Sequence, residues 1–273
     1  MASVSPSPGP LSPGNVVSAA IRLYRDRFKT YFGLSARAFL WLIVPVYGWA
    51  KYGMHTGLMA RLAYQELVNQ PETPGQAYQQ LQPKMWSFLI VGILFILIFI
   101  AVYIGLVIAS FVIGFVVVGV VGGLLSTIFG PAGVVVGSIL SGILIFILFF
   151  FSVLWMATRL FLVEVPLAME QSVDAGESIG RSWSLTKRSI GRIQLVVLAT
   201  YLVTLPLLFV TNFLPQIIAL QLEPGSAAAS AVSLVIFIVS IAANILILPF
   251  WQAAKGVLYY DLRSRREGLD LTL

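Results

Sequence analysis

His55 is the one histidine among 273 residues, and there is no cysteine. Transition-metal sites draw most of their ligands from those two residue types, and proton relays lean on paired imidazoles, so both chemistries are closed to this chain. The eleven Asp and Glu do not gather into a ligand set. Phosphate loops, dinucleotide fingerprints and nucleophile elbows are missing in any suitable context. The sequence therefore predicts no catalytic residue, no cofactor and no metal. The side chains left to do chemistry are cations. Arg181, Lys187, Arg188 and Arg192 follow one another along one polar segment, and Arg263, Arg265 and Arg266 sit just beyond the last apolar stretch. Cations beside a membrane attract anionic lipid or an acidic partner surface. Arg263-x-Arg265-Arg266 lacks interleaved aromatics, so nucleic acid is not an expected partner.

Amphipathic helices must position these cations. Asp174 and Glu177 have the spacing of a capping box, with Asp in place of the usual Ser or Thr. Beyond them Ile179, Trp183, Thr186, Ile190 and Ile193 fall on one stripe, Arg181, Arg188 and Arg192 lie nearly opposite, and Lys187 lies to one side. The pattern predicts an interfacial helix over 174–192. Two readings of it are open: a connector packed on its own domain, or a surface for anionic lipid or a partner. A second such helix is expected over 15–31, capped by Asn15, with Val17, Ile21, Tyr24, Phe28 and Tyr31 opposite Arg22, Asp26 and Lys29.

The rest of the chain is apolar. Hydrophobic residues make up 59% and charged residues 10%, too few charges to cover a water-facing surface. From Met85 to Thr158 there is no Asp, Glu, Lys, Arg or His, and two further uncharged runs, Ile193–Leu222 and Pro224–Ala254, are parted only by Glu223. About twenty apolar residues cross a bilayer core, which makes this a polytopic helical membrane protein. Trp86, beside Lys84, starts one long helix, and Gly130-Pro131-Ala132-Gly133 marks its break. The first apolar region is ambiguous. Either 36–58 spans once, or 28–46 and 47–67 form a kinked or partly embedded hairpin. The fold class expected is an all-α bundle of about six transmembrane helices with amphipathic interfacial helices. Residues 1–14 read as a disordered Pro/Ser tail with neither the basic start nor the apolar stretch of a secretory signal, 15–273 as one membrane domain, and about 256–273 as a cytoplasmic tail.

Orientation follows from Lys and Arg placement. The segment up to Arg37, the segment Arg159–Arg192 and the segment after Lys255 are basic, whereas the loops at 119–133 and 215–230 carry no cation. The basic segments, and with them both termini, are assigned to the cytoplasmic side. A weak internal resemblance pairs 71–78 with 176–183: each reads Glu, a Gly three residues later and an aromatic six later, at Glu72, Gly75 and Tyr78 and at Glu177, Gly180 and Trp183. Gly133, Gly137 and Ser141 form a small-residue stripe suited to close helix packing, within the chain or between two copies of it. Asn212 and Asn244 lie deepest among the polar residues of the last two helices and could bond across them, together with Thr211.

The most distinctive local sequence is Leu258-Tyr259-Tyr260-Asp261-Leu262-Arg263-Ser264-Arg265-Arg266-Glu267-Gly268-Leu269-Asp270-Leu271. Its tyrosines suit an interface, Asp261 can pair with Arg265 one turn on, and Gly268 can end the helix. This ending resembles that of bacterial proteins related to the membrane domain of glycerophosphoryl diester phosphodiesterase. The stretch Gly176–Leu185, with Glu177, Arg181, Ser182, Trp183 and Leu185, is similar to the cytoplasmic stretch before that group's penultimate helix. The resemblance covers 163–273 well and the N-terminal half in outline. It implies a six-helix domain in a bacterial membrane and no phosphodiesterase activity, since in the named enzyme that chemistry belongs to a separate soluble barrel that this sequence does not contain. Lys51, His55 and Arg61 depart from the family outline in the first hairpin. The expected function is a non-enzymatic scaffold or accessory protein that binds membrane lipid or a protein partner, or a second copy of itself, through its basic face. The alternative is a small-molecule or lipid transporter with a polar path at Thr211, Asn212 and Asn244.

Overall fold

The computed structural model describes residues 11–223 and 225–267. The chain is all-α, 87% helical, with no strand among the described residues. Its helices are α1 (Pro13–Asp26), α2 (Phe28–Trp41), α3 (Tyr47–Leu67), α4 (Pro74–Leu81), α5 (Met85–Gly114), α6 (Gly123–Phe129), α7 (Pro131–Leu160), α8 (Glu164–Met169), α9 (Ala175–Thr186), α10 (Ile190–Leu208), α11 (Leu214–Ala219) and α12 (Ala227–Glu267). A π-helical stretch, Phe115–Gly122, joins α5 to α6, and another, Phe209–Phe213, joins α10 to α11 just beyond Pro206. Four continuous helical segments are long and apolar enough to cross a membrane: Pro74–Phe129, Pro131–Met169, Ile190–Ile217 and Ala227–Arg266. Packing divides the chain into two units, 1–91 with 161–273, and 92–160.

In the larger unit the core lies at one end of its long helices. The first half of α12 exposes Leu234, Val235, Phe237 and Ile238, whereas Ala253, Ala254, Val257, Leu258 and Tyr259 in its second half are fully buried. At 1.5 Å per residue this helix is roughly 60 Å long, twice a bilayer core of about 30 Å. Half of α12 therefore has the composition and exposure of a lipid-facing span, and half is the axis of a packed base. Val16 and Ala20 of α1, Ala60 and Ala63 of α3, Val165 of α8, Leu185 of α9 and Ile193 of α10 close around that second half. Small residues set the distance: a side chain on Gly256 would collide with the carbonyl of Ala60.

Three short helices of this unit begin alike. Ser12-Pro13-Gly14-Asn15, Thr73-Pro74-Gly75-Gln76 and Asp174-Ala175-Gly176-Glu177 open α1, α4 and α9. The cap oxygen accepts the backbone N–H three residues on, at 3.2 Å in α1, 3.3 Å in α4 and 2.8 Å in α9. In α4 and α9 the Gln76 and Glu177 side chains return the bond to the cap N–H, completing capping boxes. Positions four and eight beyond the cap are buried every time: Val16 and Ala20, Ala77 and Leu81, Ser178 and Ser182. Each helix then leads into a helical hairpin. The internal pairing read from Glu72 and Glu177 thus shifts by one helical turn, to Thr73 opposite Asp174, and a third copy stands at Ser12.

Several boundaries move. The first helix is capped by Ser12 rather than Asn15, and it ends at Asp26, so 15–31 is not one helix. The expected interfacial helix 174–192 breaks after Thr186, because Lys187–Ser189 form the turn that leads into α10. Of the expected N-terminal tail, 1–10 fall outside the described residues, while Leu11 donates its N–H to Asp261 at 2.7 Å. The segment from 256 is no tail: Gly256–Leu262 are buried in α12. Gly268 as its terminator lies outside the described residues. The first apolar region forms a hairpin, α2–α3. Its tip carries Val46 at φ 60°, ψ −67°, with Tyr47 N–H bonded to the Pro45 carbonyl at 2.7 Å, a strained γ-turn. Gly48 is required there because any side chain would strike the Trp41 carbonyl.

In the smaller unit, 92–160, most large apolar residues are exposed, as on helices meant for hydrocarbon. The contact between its two arms is made by small residues. Gly133 sits against the backbone of Leu125 and Ser126, and a Cβ on Gly137 would stand 2.8 Å from the Gly122 Cα. Ser141, 4% exposed, continues the stripe towards Gly114.

Candidate membrane-interface site

Of the seven cations expected at the interface, the fold draws five onto partners at the packed base. Asp261, with no exposed surface, is the main anchor. Its Oδ1 accepts the Leu11 N–H and its Oδ2 accepts Arg192 Nε at 3.0 Å. Arg192 Nη2 stands 2.9 Å from the same Oδ2, within ion-pair range but off the hydrogen-bond axis. Arg265 Nε lies 3.2 Å from both carboxylate oxygens, the i,i+4 pair the sequence suggested. Asp261 thereby ties together the start of α1, the start of α10 and the end of α12.

Glu170, at the end of α8, is a second anchor. Its Oε1 accepts Arg181 Nε at 3.0 Å and the Tyr259 hydroxyl at 2.5 Å. Arg263 reaches the Tyr64 hydroxyl at 3.3 Å and lies over the Tyr259 ring, while Arg266 donates to the Ser184 carbonyl. Lys187 and Arg188 differ from the other five. Both are exposed in the turn between α9 and α10, and neither has a hydrogen bond or ion pair among the described residues.

The predicted stripe of 174–192 also rotates. The face of α9 buried against the core carries Ala175, Ser178, Ser182, Leu185 and Thr186, while Ile179 and Trp183 are only half-buried. Ser178 fixes the contact by donating to the Val163 carbonyl at 2.5 Å and accepting the Leu167 N–H at 3.2 Å. This helix is a connector packed on its own domain, and its free cations are concentrated at its C-terminal turn.

The charges in the first hairpin are held inside the protein. Arg61, 7% exposed, makes a two-pronged contact to Glu72 at 2.8 and 2.6 Å and also donates to the Ala168 carbonyl at 2.7 Å and Gln80 at 2.5 Å. Lys51 points into an aromatic cage, with Nζ 2.5 Å from the Tyr78 hydroxyl and over the rings of Trp41, Tyr47 and Tyr78 at 5.9, 5.6 and 5.0 Å. Burial alone would lower its pKa, but hydrogen bonding and attraction from Tyr78 and Tyr47 outweigh this and raise it, so Lys51 is a fixed cation. His55 goes the other way: burial pushes it below the usual histidine range, and the Lys51 and Arg37 charges add to that shift. The bond to the Lys51 carbonyl opposes it.

The deep polar residues of the last hairpin satisfy one another. Asn212 donates to Thr211 at 3.0 Å and accepts from Ser240 of α12 at 2.9 Å, bonding across helices. Asn244 donates to the Ser240 carbonyl on its own helix, and Thr211 to the Leu207 carbonyl. An apolar groove of about 360 Å³ opens beside Ile21, Tyr24 and Phe28, facing Leu207 of α10 and Ile247 of α12. Among the described residues no three His, Asp or Glu lie close enough together to hold a metal ion.

Sequence reasoning treated Asp261 only as the partner of Arg265 and missed Glu170 altogether. Nothing in the spacing of Glu170 marks it, since its partners come from α9 and α12. Neither a scan of protein-family models nor searches of curated proteins and solved structures found a match.

Proposed function

We propose that this chain is a non-enzymatic integral membrane protein, a scaffold or accessory component that engages anionic lipid at its basic face. The observation that carries the reading is the exposed pair Lys187 and Arg188, without a partner among the described residues and held at the entry of a hydrophobic span by a helix packed on the core. Basic residues at that level are worth about 1 kcal/mol each against an anionic surface. The apolar groove beside Tyr24 offers a neighbouring place for acyl chains. The same proposal assigns the protein to a bacterial cytoplasmic membrane with both termini cytoplasmic, supported by the cation-free outer loops. It also includes a relationship to the phosphodiesterase membrane domain, supported by the local sequences 176–185 and 258–271.

Four helices cross fully in this reading, and α2–α3 enters the membrane without crossing. The fourteen residues of α2 reach about 21 Å, short of a hydrocarbon core of about 30 Å. Its partner α3 carries Lys51, His55 and Arg61 on partners inside the protein. The tip exposes Leu40, Ile43, Val44, Val46 and Trp49, an apolar cap suited to the acyl boundary. The count of about six helices then becomes four spans and one embedded hairpin.

The test is native mass spectrometry of the full-length protein, released from nanodiscs of mixed anionic and neutral lipid, with wild type compared with Lys187→Gln/Arg188→Gln. Preferential retention of anionic lipid that falls in the double variant supports the reading. Equal retention of neutral and anionic lipid by wild type refutes it.

A further inference from the structure

A cavity of about 440 Å³ opens between α2, α3 and α4, within the size range of small-ligand sites. Arg37 and Trp41 line it from α2, His55 from α3, and Gly75 and Tyr78 from α4; none of its lining residues is a carboxylate. Its polar groups still have capacity. Arg37 is exposed, with no hydrogen bond or ion pair among the described residues. Tyr78 accepts from Lys51, which leaves the phenol proton to be donated elsewhere. Gly75 lies in the first turn of α4, where backbone N–H groups have no intrahelical acceptor and the helix dipole favours an anion.

His55 supplies the independent sign of a ligand. It is 4% exposed, yet it lines the cavity. Its Nδ1 lies 2.7 Å from the Lys51 carbonyl, which can only accept, so Nδ1 carries the proton and Nε2 is left as an acceptor with no partner among the described residues. An imidazole acceptor opening into a cavity that also offers Arg37, Tyr78 and the Gly75 N–H as donors suits an anion that carries a hydroxyl of its own.

The depth of the cavity suggests where such an anion comes from. Arg37 lies one turn from Trp41 on α2, and His55 one turn from Lys51 on α3. Both positions lie two to three helical turns from the apolar hairpin tip, near the aromatic residues Trp41, Tyr47 and Tyr78, side chains of the kind that suit the level of lipid headgroups.

We propose that this cavity binds a phosphate-bearing anion, seated as the headgroup of an anionic lipid whose chains run along the α2–α3 tip. Arg37, the Gly75 N–H and the Tyr78 hydroxyl donate to the phosphate oxygens. His55 Nε2 accepts from the phosphate monoester hydroxyl, which favours a monoester headgroup over a choline diester. The inference rests on the membrane-lipid reading above but places the specific contact at a different site.

Full-length protein in neutral maltoside micelles is titrated calorimetrically with dioctanoyl phosphatidic acid, dioctanoyl phosphatidylcholine and inorganic phosphate. The expected result is saturable binding of phosphatidic acid, no binding of phosphatidylcholine, and weak binding of phosphate. Arg37→Gln, which breaks no hydrogen bond or ion pair among the described residues, should weaken the phosphatidic acid affinity by ~10-fold or more, the scale of one charge-assisted hydrogen bond. His55→Phe, melted alongside wild type to verify folding, should lower the preference for phosphatidic acid over a dioctanoyl phosphatidylglycerol diester. Phosphate binding as tightly as the lipid overturns the headgroup assignment. Phosphatidic acid affinity that survives Arg37→Gln but falls in Lys187→Gln/Arg188→Gln overturns this site and leaves the broader reading standing. Wild type that binds phosphatidic acid and phosphatidylcholine alike overturns both.

Discussion

Replacing Asp261 tests whether the C-terminal signature is a structural clamp. In Asp261→Ala three groups lose an acceptor at once: the Leu11 N–H, the Arg192 guanidinium and Arg265 Nε. Removing one side of a buried ion pair costs about 3–5 kcal/mol, because the other charge is left without compensation. Here the carboxylate is wholly buried, but the Arg192 side chain keeps 19% exposure and Arg265 keeps 35%, so water can recover part of both. The expected loss is therefore at the lower end, about 3 kcal/mol. For a chain of this size that corresponds to a fall in Tm of roughly 6–12 °C. Asp261→Asn keeps an acceptor for Leu11 and should cost less. Arg192→Gln should cost less again, because Asp261 retains Arg265 and the Leu11 N–H. The assay is thermal unfolding of the full-length protein in detergent, followed by tryptophan emission, with a double-mutant cycle between Asp261→Ala and Arg192→Gln. An Asp261→Ala melt within 2 °C of wild type, or a cycle with no coupling, refutes the clamp.

Other outcomes follow from the same geometry. Gly256→Leu should destabilise the base by about 1–3 kcal/mol, because the new side chain meets the Ala60 backbone rather than a movable group; a melt matching wild type would contradict this. Gly48→Val should open the α2–α3 hairpin, read as new protease cleavage near the tip, and an unchanged digest would count against the close approach to Trp41. His55, held below the usual ~6.5 by burial and by Lys51 and Arg37, contributes stability above that pH and loses it as pH falls towards the depressed folded-state value. Melts of wild type should therefore decline from about pH 6.5 downward more steeply than those of His55→Gln, and parallel profiles would refute the assignment. For topology, single cysteines at exposed Ser172 and Glu223 of this Cys-free chain should label asymmetrically, only the second reacting from outside intact cells.

The long helices were legible because their signal is local: an uncharged apolar run needs no partner to be recognised. Capping was legible for the same reason, and Asp174 with Glu177 forms the box that its spacing implies. The surroundings of the cations were not legible where they depended on distant residues. Arg181 and Arg192 have the periodicity of a lipid-facing row, yet each is claimed by a carboxylate, Glu170 eleven residues away and Asp261 sixty-nine away. An amphipathic pattern cannot distinguish an arginine facing lipid phosphate from one facing a buried acid, since both stand opposite the apolar stripe. Lys51, His55 and Arg61 misled in the opposite sense. They looked like interruptions of a span, whereas they are partners of Tyr78, the Lys51 carbonyl and Glu72 inside the packed base.

The three like helix starts give a physical reason for the unequal hairpins. Each capped helix buries the positions four and eight beyond its cap, and that buried row fixes it to the base before the chain turns into two antiparallel arms. The arms after α4 and α9 are long, apolar and nearly free of charge, so they can be solvated by lipid along their length. The arms after α1 are short, and α3 packs against α12, α2 and α8, with fourteen of its twenty-one residues buried. A helix that commits its faces to protein contacts has little left for lipid. Its hairpin therefore serves as the seat of the base, and its exposed apolar surface gathers around the strained turn at Val46, where Leu40, Ile43, Val44 and Trp49 stand.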